Sequence, residues 1–433
     1  MLGTVRKCGV ALAQTSWKEG RRCVSGTASI AGSNQITSIR NDGKNTSFSN
    51  DGTSRLVYQC KSYRPRSHSR SLSTASSPSI PLAISGTVAT KDESRDFMAV
   101  FPDVVRDLTE TGRHLDIPDA TKWFAKVLQY NVPGGKKNRG LALIYAYKAL
   151  AGKDELTPEN IRLSQIMGWC VEMLQAYFLV LDDIMDNSVT RRGRPCWYLH
   201  KNLGTAAVND GLLLEHGLYQ LLSRYFRDKP YYINVLELFH DVALKTTMGQ
   251  TLDLLSTQFG AKPILEKFTM DRYNSIVKYK TAYYSFHLPV ALAMYMAGFK
   301  DEESHRQAKT ILLEMGQFFQ VQDDFLDCFG DPEVTGKIGT DIQDGKCTWL
   351  AVVALQRATP EQKALFADCY GSKDPQKVAA VKELYEQLGL SSTYATYEEE
   401  SYNIISTHIQ QVSRGMPHKL FFKFMEKIYK REC

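Results

Sequence analysis

Paired cysteines, long apolar runs and strand-like alternation are all missing from this 433-residue chain, and each absence narrows what it can be. Its nine cysteines are scattered with no C-x-x-C pair, which excludes a disulfide scaffold and points to a reducing, intracellular setting. No stretch approaches the roughly 20 consecutive apolar residues of a membrane-spanning helix. After residue 90 apolar residues recur at helical spacing and do not alternate singly, so an all-α body is expected. Repeats of solenoid length are absent. No convincing Ser/His/Asp or Cys/His arrangement offers a nucleophile.

Acids are scarce at the start. Residues 1–90 carry twelve Lys and Arg against three Asp and Glu, or +9, so with a total of +6 the remainder stands at −3. The positive balance therefore belongs to the leader and implies no nucleic-acid face on the body. Residues 1–88, rich in Ser, Thr and Gly, are too polar to offset the entropy of ordering. Their opening, "MLGTVRKCGVALAQTSWKEGRRC", mixes Arg and Lys with Leu, Val and Trp in the manner of a mitochondrial transit peptide. The expected organisation is a disordered leader over 1–88 and one all-α catalytic domain over 89–433, mitochondrial with the leader and cytoplasmic without it.

What is present is helix, and one recurring acidic motif. Thr157 and Pro158 supply a cap and a first helical residue for a helix running to about Ser188. Further helical patterns cover about 208–227, 232–258, 269–297 and 302–329. Within them, Leu181-Asp182-Asp183-Ile184-Met185-Asp186 is echoed by Gln322-Asp323-Asp324-Phe325-Leu326-Asp327. Residues three and four apart share a helix face, so Asp182, Asp183 and Asp186 form one carboxylate ledge, and Asp323, Asp324 and Asp327 another. Like charges at that spacing repel, and burying them beside Leu, Val and Phe without a counter-charge costs several kcal/mol. Hard oxygen ligands with room for water suit Mg²⁺ bound together with phosphate. Zinc is disfavoured, because no His or Cys cluster accompanies either ledge.

Cations for phosphate come in small groups. Gly134-Gly135-Lys136-Lys137-Asn138-Arg139 opens a helix near Gly140, where glycines and a helix N-terminus favour an anion that Lys136 and Arg139 can clamp. It is not a Walker A loop. Arg191 and Arg192 follow the first ledge, Lys280 and Thr281 lie mid-helix, and Lys337 and Lys346 sit in loops. Two ledges and two kinds of basic site imply two phosphorylated ligands, one bound through metal and one by Lys and Arg alone. Phe178 lies four residues before Asp182, about 6 Å along the axis, so Phe178 and Tyr177 are expected to floor a cavity beneath the first ledge.

Five segments in order, "GGKKNRG", "LQAYFLVLDDIMDNSVTRRGRPCWY", "KYKTAYYSF", "FFQVQDDFLDCFGD" and "TGKIGTDIQDGKCTWL", resemble the farnesyl diphosphate synthases of animals, insects among them, within the trans-isoprenyl diphosphate synthases. The resemblance spans about residues 95–430. It implies an all-α bundle of ten or more helices around a deep central cavity, usually a homodimer. It further implies three Mg²⁺, with Mn²⁺ or Co²⁺ as substitutes, on Asp182, Asp183, Asp186, Asp323, Asp324 and Asp327. An allylic diphosphate would meet Arg191, Lys280, Thr281, Gln320, Lys337 and Lys346, with Lys280, Thr281 and Gln320 in catalytic roles around its cation. Isopentenyl diphosphate would be held by Lys136, Arg139, Gln175 and Arg192, and the proton lost after coupling would leave with the pyrophosphate. Three positions depart from the family pattern: the terminus ends Lys430-Arg431-Glu432-Cys433, Tyr177 replaces a more usual Phe, and His216 stands where a small residue is expected, reading as a core or groove histidine.

The activity so implied is condensation of isopentenyl diphosphate with dimethylallyl and geranyl diphosphate to give farnesyl diphosphate. A terpene synthase of the same fold would lack the metal-free basic site, a regulatory subunit would have degraded ledges, and a geranyl diphosphate synthase would stop one unit earlier.

Overall fold

The computed structural model describes residues 90–113, 116–257, 262–335, 339–413 and 415–429. The expected leader, Lys337 and the Glu432–Cys433 terminus lie outside the described residues. What is described is helical as expected, with sixteen α-helices and one two-stranded hairpin.

Helix boundaries follow local chemistry. In α4 (Pro158–Met185) the Thr157 side chain accepts from the Asn160 amide and proline occupies the first turn. The same device starts α9 (Glu302–Phe329), where Asp301 accepts from the Ser304 amide. Helix α4 ends three residues before the expected Ser188, because Asp186 caps it and Asn187 turns left-handed at φ 53°. The chain then forms a hairpin that no alternation foretold, Thr190–Arg191 (β1) against Arg194–Pro195 (β2). Its two-residue turn, Arg192 and Gly193 at φ 55° and 71°, matches the twist of the flanking strands.

The pattern expected over 269–297 is one rod of three parts: α7 (Met270–Ile276), a π-helical stretch (Val277–His287) and α8 (Leu288–Met296). Widened turns of this kind concentrate at functional sites. Here the widened turn runs where neighbours touch its backbone. A Cβ on Gly249 of α6 (Tyr232–Ser256) would lie 2.1 Å from the Lys280 amide nitrogen, and one on Gly316 of α9 would lie 2.4 Å from Ala282 Cβ. Neither position admits any side chain, so both helices press directly on the segment that carries Lys280.

Two apolar cores flank these crossings. The larger gathers Phe97, Trp169, Leu218, Phe239, Leu292 and Phe421, and the smaller gathers Tyr273, Trp349, Phe366 and Tyr385. Helix α9 contributes to both, with Phe318 in the first and Val321 in the second, which anchors the second acidic motif between them.

Candidate active site

The first motif sits at the C-terminal end of α4, where Asp182 and Asp186 stack one turn apart as the spacing demands. Three cations meet it. Lys280 Nζ lies 3.3 Å from Asp182 Oδ1, Lys346 Nζ donates to Asp186 Oδ2 at 2.7 Å, and Arg191 Nη2 donates to Asp182 Oδ2 at 3.3 Å. The Lys280 contact is an ion pair without hydrogen-bond alignment, so Asp182 Oδ1 is buried yet accepts no hydrogen bond. Burial pushes the Asp182 carboxyl up, but Lys280, Lys346 and Arg191 outweigh it and hold the group below the usual range. For Asp186 burial and the neighbouring Asp182 charge prevail, and its carboxyl is raised.

Both lysines share a further acid that the motif search did not single out. Asp253 on α6 accepts from Lys280 Nζ at 2.7 Å and lies 3.6 Å from Lys346 Nζ. It is buried, which alone would raise its carboxyl, yet the two ammonium groups bring it down to about 2. The lysines are raised in return, against the desolvation that opposes their charge. Asp253 was legible only as a lone carboxylate inside an apolar helix, a signal too common to weigh without its neighbours.

The middle acid of each motif behaves differently from its expected ledge role. Asp183 is buried, and its Oδ1 accepts from Arg191 Nε and Nη2 at 2.9 and 2.6 Å. Asp324 is buried too, accepting from Tyr273 Oη at 2.7 Å, Gln320 Nε2 at 2.9 Å and the Trp349 amide at 2.9 Å. Burial pushes the Asp324 carboxyl up to about 7 against those donors. With both oxygens accepting from protein donors, Asp324 braces α7, α9 and α12 (Trp349–Arg357). Asp327 Oδ1 accepts from the Asp341 amide at 3.0 Å, so part of that acid serves the following turn. Position i+1 points about 100° away from the i and i+4 face, which is why both middle acids meet protein donors beside it.

A second cationic group lies beside the first. Arg192 reaches back over the loop before α3 (Asn138–Leu150), donating from Nη1 to the Asn131 carbonyl at 3.2 Å. A Cβ on Gly135, itself at φ 77°, would lie 2.8 Å from Arg192 Nε. The glycines thus make room for an arginine, where the sequence suggested direct approach of an anion to the backbone. The helix start is likewise taken, since the Gly140 amide donates to buried Glu172 at 2.8 Å. Arg139 donates to Ser285 Oγ at 2.7 Å and Tyr284 Oη at 3.0 Å, and lies 4.5 Å over the Tyr284 ring. Burial, then Arg139 and Arg191 nearby, hold the Arg192 guanidinium below its usual value despite the pull of Glu172. A pocket lined by Gly134, Gly135, Ala176, Asp183, Arg191 and Arg192 joins the two groups.

Residues 121–388 match the polyprenyl synthetase family. The chain belongs to that family. A farnesyl pyrophosphate synthase of Nezara viridula is 53% identical over 382 residues, 88% of this chain and 91% of that protein. The Gallus gallus protein of the same name is 51% identical over 346 residues, 80% of this chain and 94% of its own length. The structure of T. brucei farnesyl diphosphate synthase complexed with risedronate superposes with a TM-score of 0.71 at 36% identity, covering 79% of this chain and all of that one.

Lys280 and Thr281 lie on the π-helical stretch and Gln320 on α9, where its amide nitrogen is given to Asp324. Gln175 lies partly buried on α4, one residue before pocket-lining Ala176, and Lys136 is exposed in the loop before α3. Tyr177 and Phe178 pack together with ring centres 5.1 Å apart, and Phe178 meets Tyr284 edge-on at 5.4 Å. His216 is neither core nor groove: it is exposed on α5 (Ala207–Phe226).

Farnesyl diphosphate synthases work with divalent metal ions, and the donors here fit a hard cation. They are carboxylates, and Asp182 offers a buried oxygen with no hydrogen bond. Among the described residues no three Asp, Glu, His or Cys side chains converge on one point.

Proposed function

We propose that the chain joins isopentenyl diphosphate to dimethylallyl and then geranyl diphosphate, producing farnesyl diphosphate. The observation that carries this reading is the pair of cationic groups. Lys280, Lys346 and Arg191 are enmeshed with the motif acids, whereas Arg139 and Arg192 form no ion pair with a carboxylate among the described residues. A terpene synthase, which ionises a single diphosphate, has no use for the second group.

In this reading Asp182 and Asp186, with Asp323 on α9, hold three Mg²⁺. Those ions supply positive charge against the diphosphate that departs from the allylic carbon. Lys280, Lys346 and Arg191 turn from carboxylate to that diphosphate, joined by Lys337 from outside the described residues. Thr281 and the Gln320 carbonyl oxygen face the allylic cation. Lys136, Arg139, Gln175 and Arg192 hold isopentenyl diphosphate so that its double bond attacks C1 of the cation. The proton then leaves toward the departing pyrophosphate, which removes the need for a side-chain base. Incubating the protein with Mg²⁺, isopentenyl diphosphate and dimethylallyl diphosphate tests the reading. Farnesyl diphosphate by mass spectrometry supports it; geranyl diphosphate alone, or a hydrocarbon, overturns it.

The chain is proposed to work as a homodimer. Tyr219 of α5 stacks on His240 of α6 at 4.5 Å, so the two helices lie side by side. Their outer faces leave Ile233 at 59%, Leu244 at 61% and Met248 at 60% exposure, with Val208 and Leu212 at 40%. Exposed large apolar side chains in such number on two neighbouring helices suit a protein contact. Leu244→Glu with Met248→Glu should shift sedimentation from dimer to monomer; a wild-type profile would count against this face.

Residues 1–88 are proposed as a mitochondrial leader preceding a catalytic domain over 89–433. Fused to a fluorescent protein, the leader should direct it to mitochondria, and a chain starting near residue 90 should fold and stay active. A uniformly cytosolic signal would refute the address.

A further inference from the structure

Asp253 belongs to neither acidic motif, yet it is the acid that Lys280 and Lys346 have in common. Each lysine also has an acid of the first motif, Asp182 at 3.3 Å for Lys280 and Asp186 at 2.7 Å for Lys346. The position of Asp253 is built in, because Gly249 one turn earlier lets α6 press on the backbone of Lys280 itself. Its side chain is 8% exposed, so its charge answers to these lysines rather than to water.

When Asp182 and Asp186 take up a divalent cation, each lysine loses one of its two carboxylates. A largely shielded ammonium left without a partner is costly, which would oppose metal entry. We propose that Asp253 is a positioning residue: the anion onto which Lys280 and Lys346 shift as Asp182 and Asp186 turn to metal. The lysines then stay charged and aimed at the cleft, ready for the allylic diphosphate. Without Asp253 they would cling to the metal acids and compete with the cation. This inference rests on the reading of Asp182 and Asp186 as metal ligands.

The test is binding of Mn²⁺ alone, without any phosphate, to the full chain, read from the electron paramagnetic resonance signal of free Mn²⁺. Asp253→Asn should bind Mn²⁺ about tenfold more weakly, in the range for residues that orient a metal's ligands. The triple variant Lys280→Met, Lys346→Met and Asp253→Asn should recover affinity close to wild type, because the competing cations are gone. Wild-type affinity in Asp253→Asn would overturn the proposal. So would a triple variant as weak as the single one, which would mean that Asp253 acts on the metal directly. Should Asp253→Asn fail to fold, the triple variant decides alone, since it leaves neither lysine behind without its anion. Asp182→Ala serves as control: if it binds Mn²⁺ like wild type, the metal reading itself has failed, independently of Asp253.

Discussion

Asp182→Ala is expected to reduce turnover by about 10² or more while leaving the protein folded. The size follows from its place. Asp182 is held below the usual carboxylate range by three cations and offers a buried oxygen that accepts no hydrogen bond. In the proposed function, removing it takes away charge that would act on the departing diphosphate, in a cleft where water screens little. Folding should survive, because Lys280 keeps Asp253 at 2.7 Å and Arg191 keeps Asp183 at 2.6 Å. Asp324→Ala makes the contrast. It strips the acceptor from Tyr273, Gln320 and the Trp349 amide, so its first effect should be a lowered melting temperature. Steady-state rates and thermal melts of the two variants check the division of labour. Near-wild-type turnover in folded Asp182→Ala would remove the basis for the metal assignment.

Product length should change when the aromatic pair under the first motif is cut away. Phe178 lies one turn before Asp182, and its ring packs against Tyr177 and Tyr284. A prenyl tail running back along α4 from the metal acids would meet these rings. Each further isoprene unit needs added depth on the order of one helical turn, so bulk here stops growth by exclusion. Phe178→Ala with Tyr177→Ala should therefore shift the product at least one isoprene unit beyond farnesyl diphosphate. Both rings are only partly buried, so the expected stability loss lies below the roughly 3–5 kcal/mol of a fully buried aromatic. Farnesyl diphosphate as the sole product of an active double variant would rule out the floor.

Much of this site could be read from the sequence because it is written in helical spacing. Asp182 and Asp186 needed only the i, i+4 rule, and the Thr157 cap with Pro158 marked the start of α4. The rule said nothing of the protein donors that Asp183 and Asp324 meet, since those come from Arg191 in the hairpin and from Tyr273 and Trp349 on other helices. Arg192 was found as a cation, but its path across Gly134 and Gly135 depends on a hairpin of two-residue strands, too short for any alternation to register. Asp253 and the crossings at Gly249 and Gly316 depend on contacts between distant helices, which no local pattern encodes. The π-helical stretch had the same apolar spacing as the helices it joins, so it looked like one continuous rod.

That stretch presents Lys280 to Asp182 and Asp253, and a few residues later Tyr284 and Ser285 to Arg139, so one wide coil touches both cationic groups. A regular α-helix advances about 100° per residue, and returning the coil to that pitch by losing a single residue would swing one set of contacts out of line with the other. In the proposed function the stretch would therefore work as a gauge block between two reactants. Substitutions within it could tune either end, while its residue count would set how far apart the two substrates stand when the new carbon–carbon bond is made.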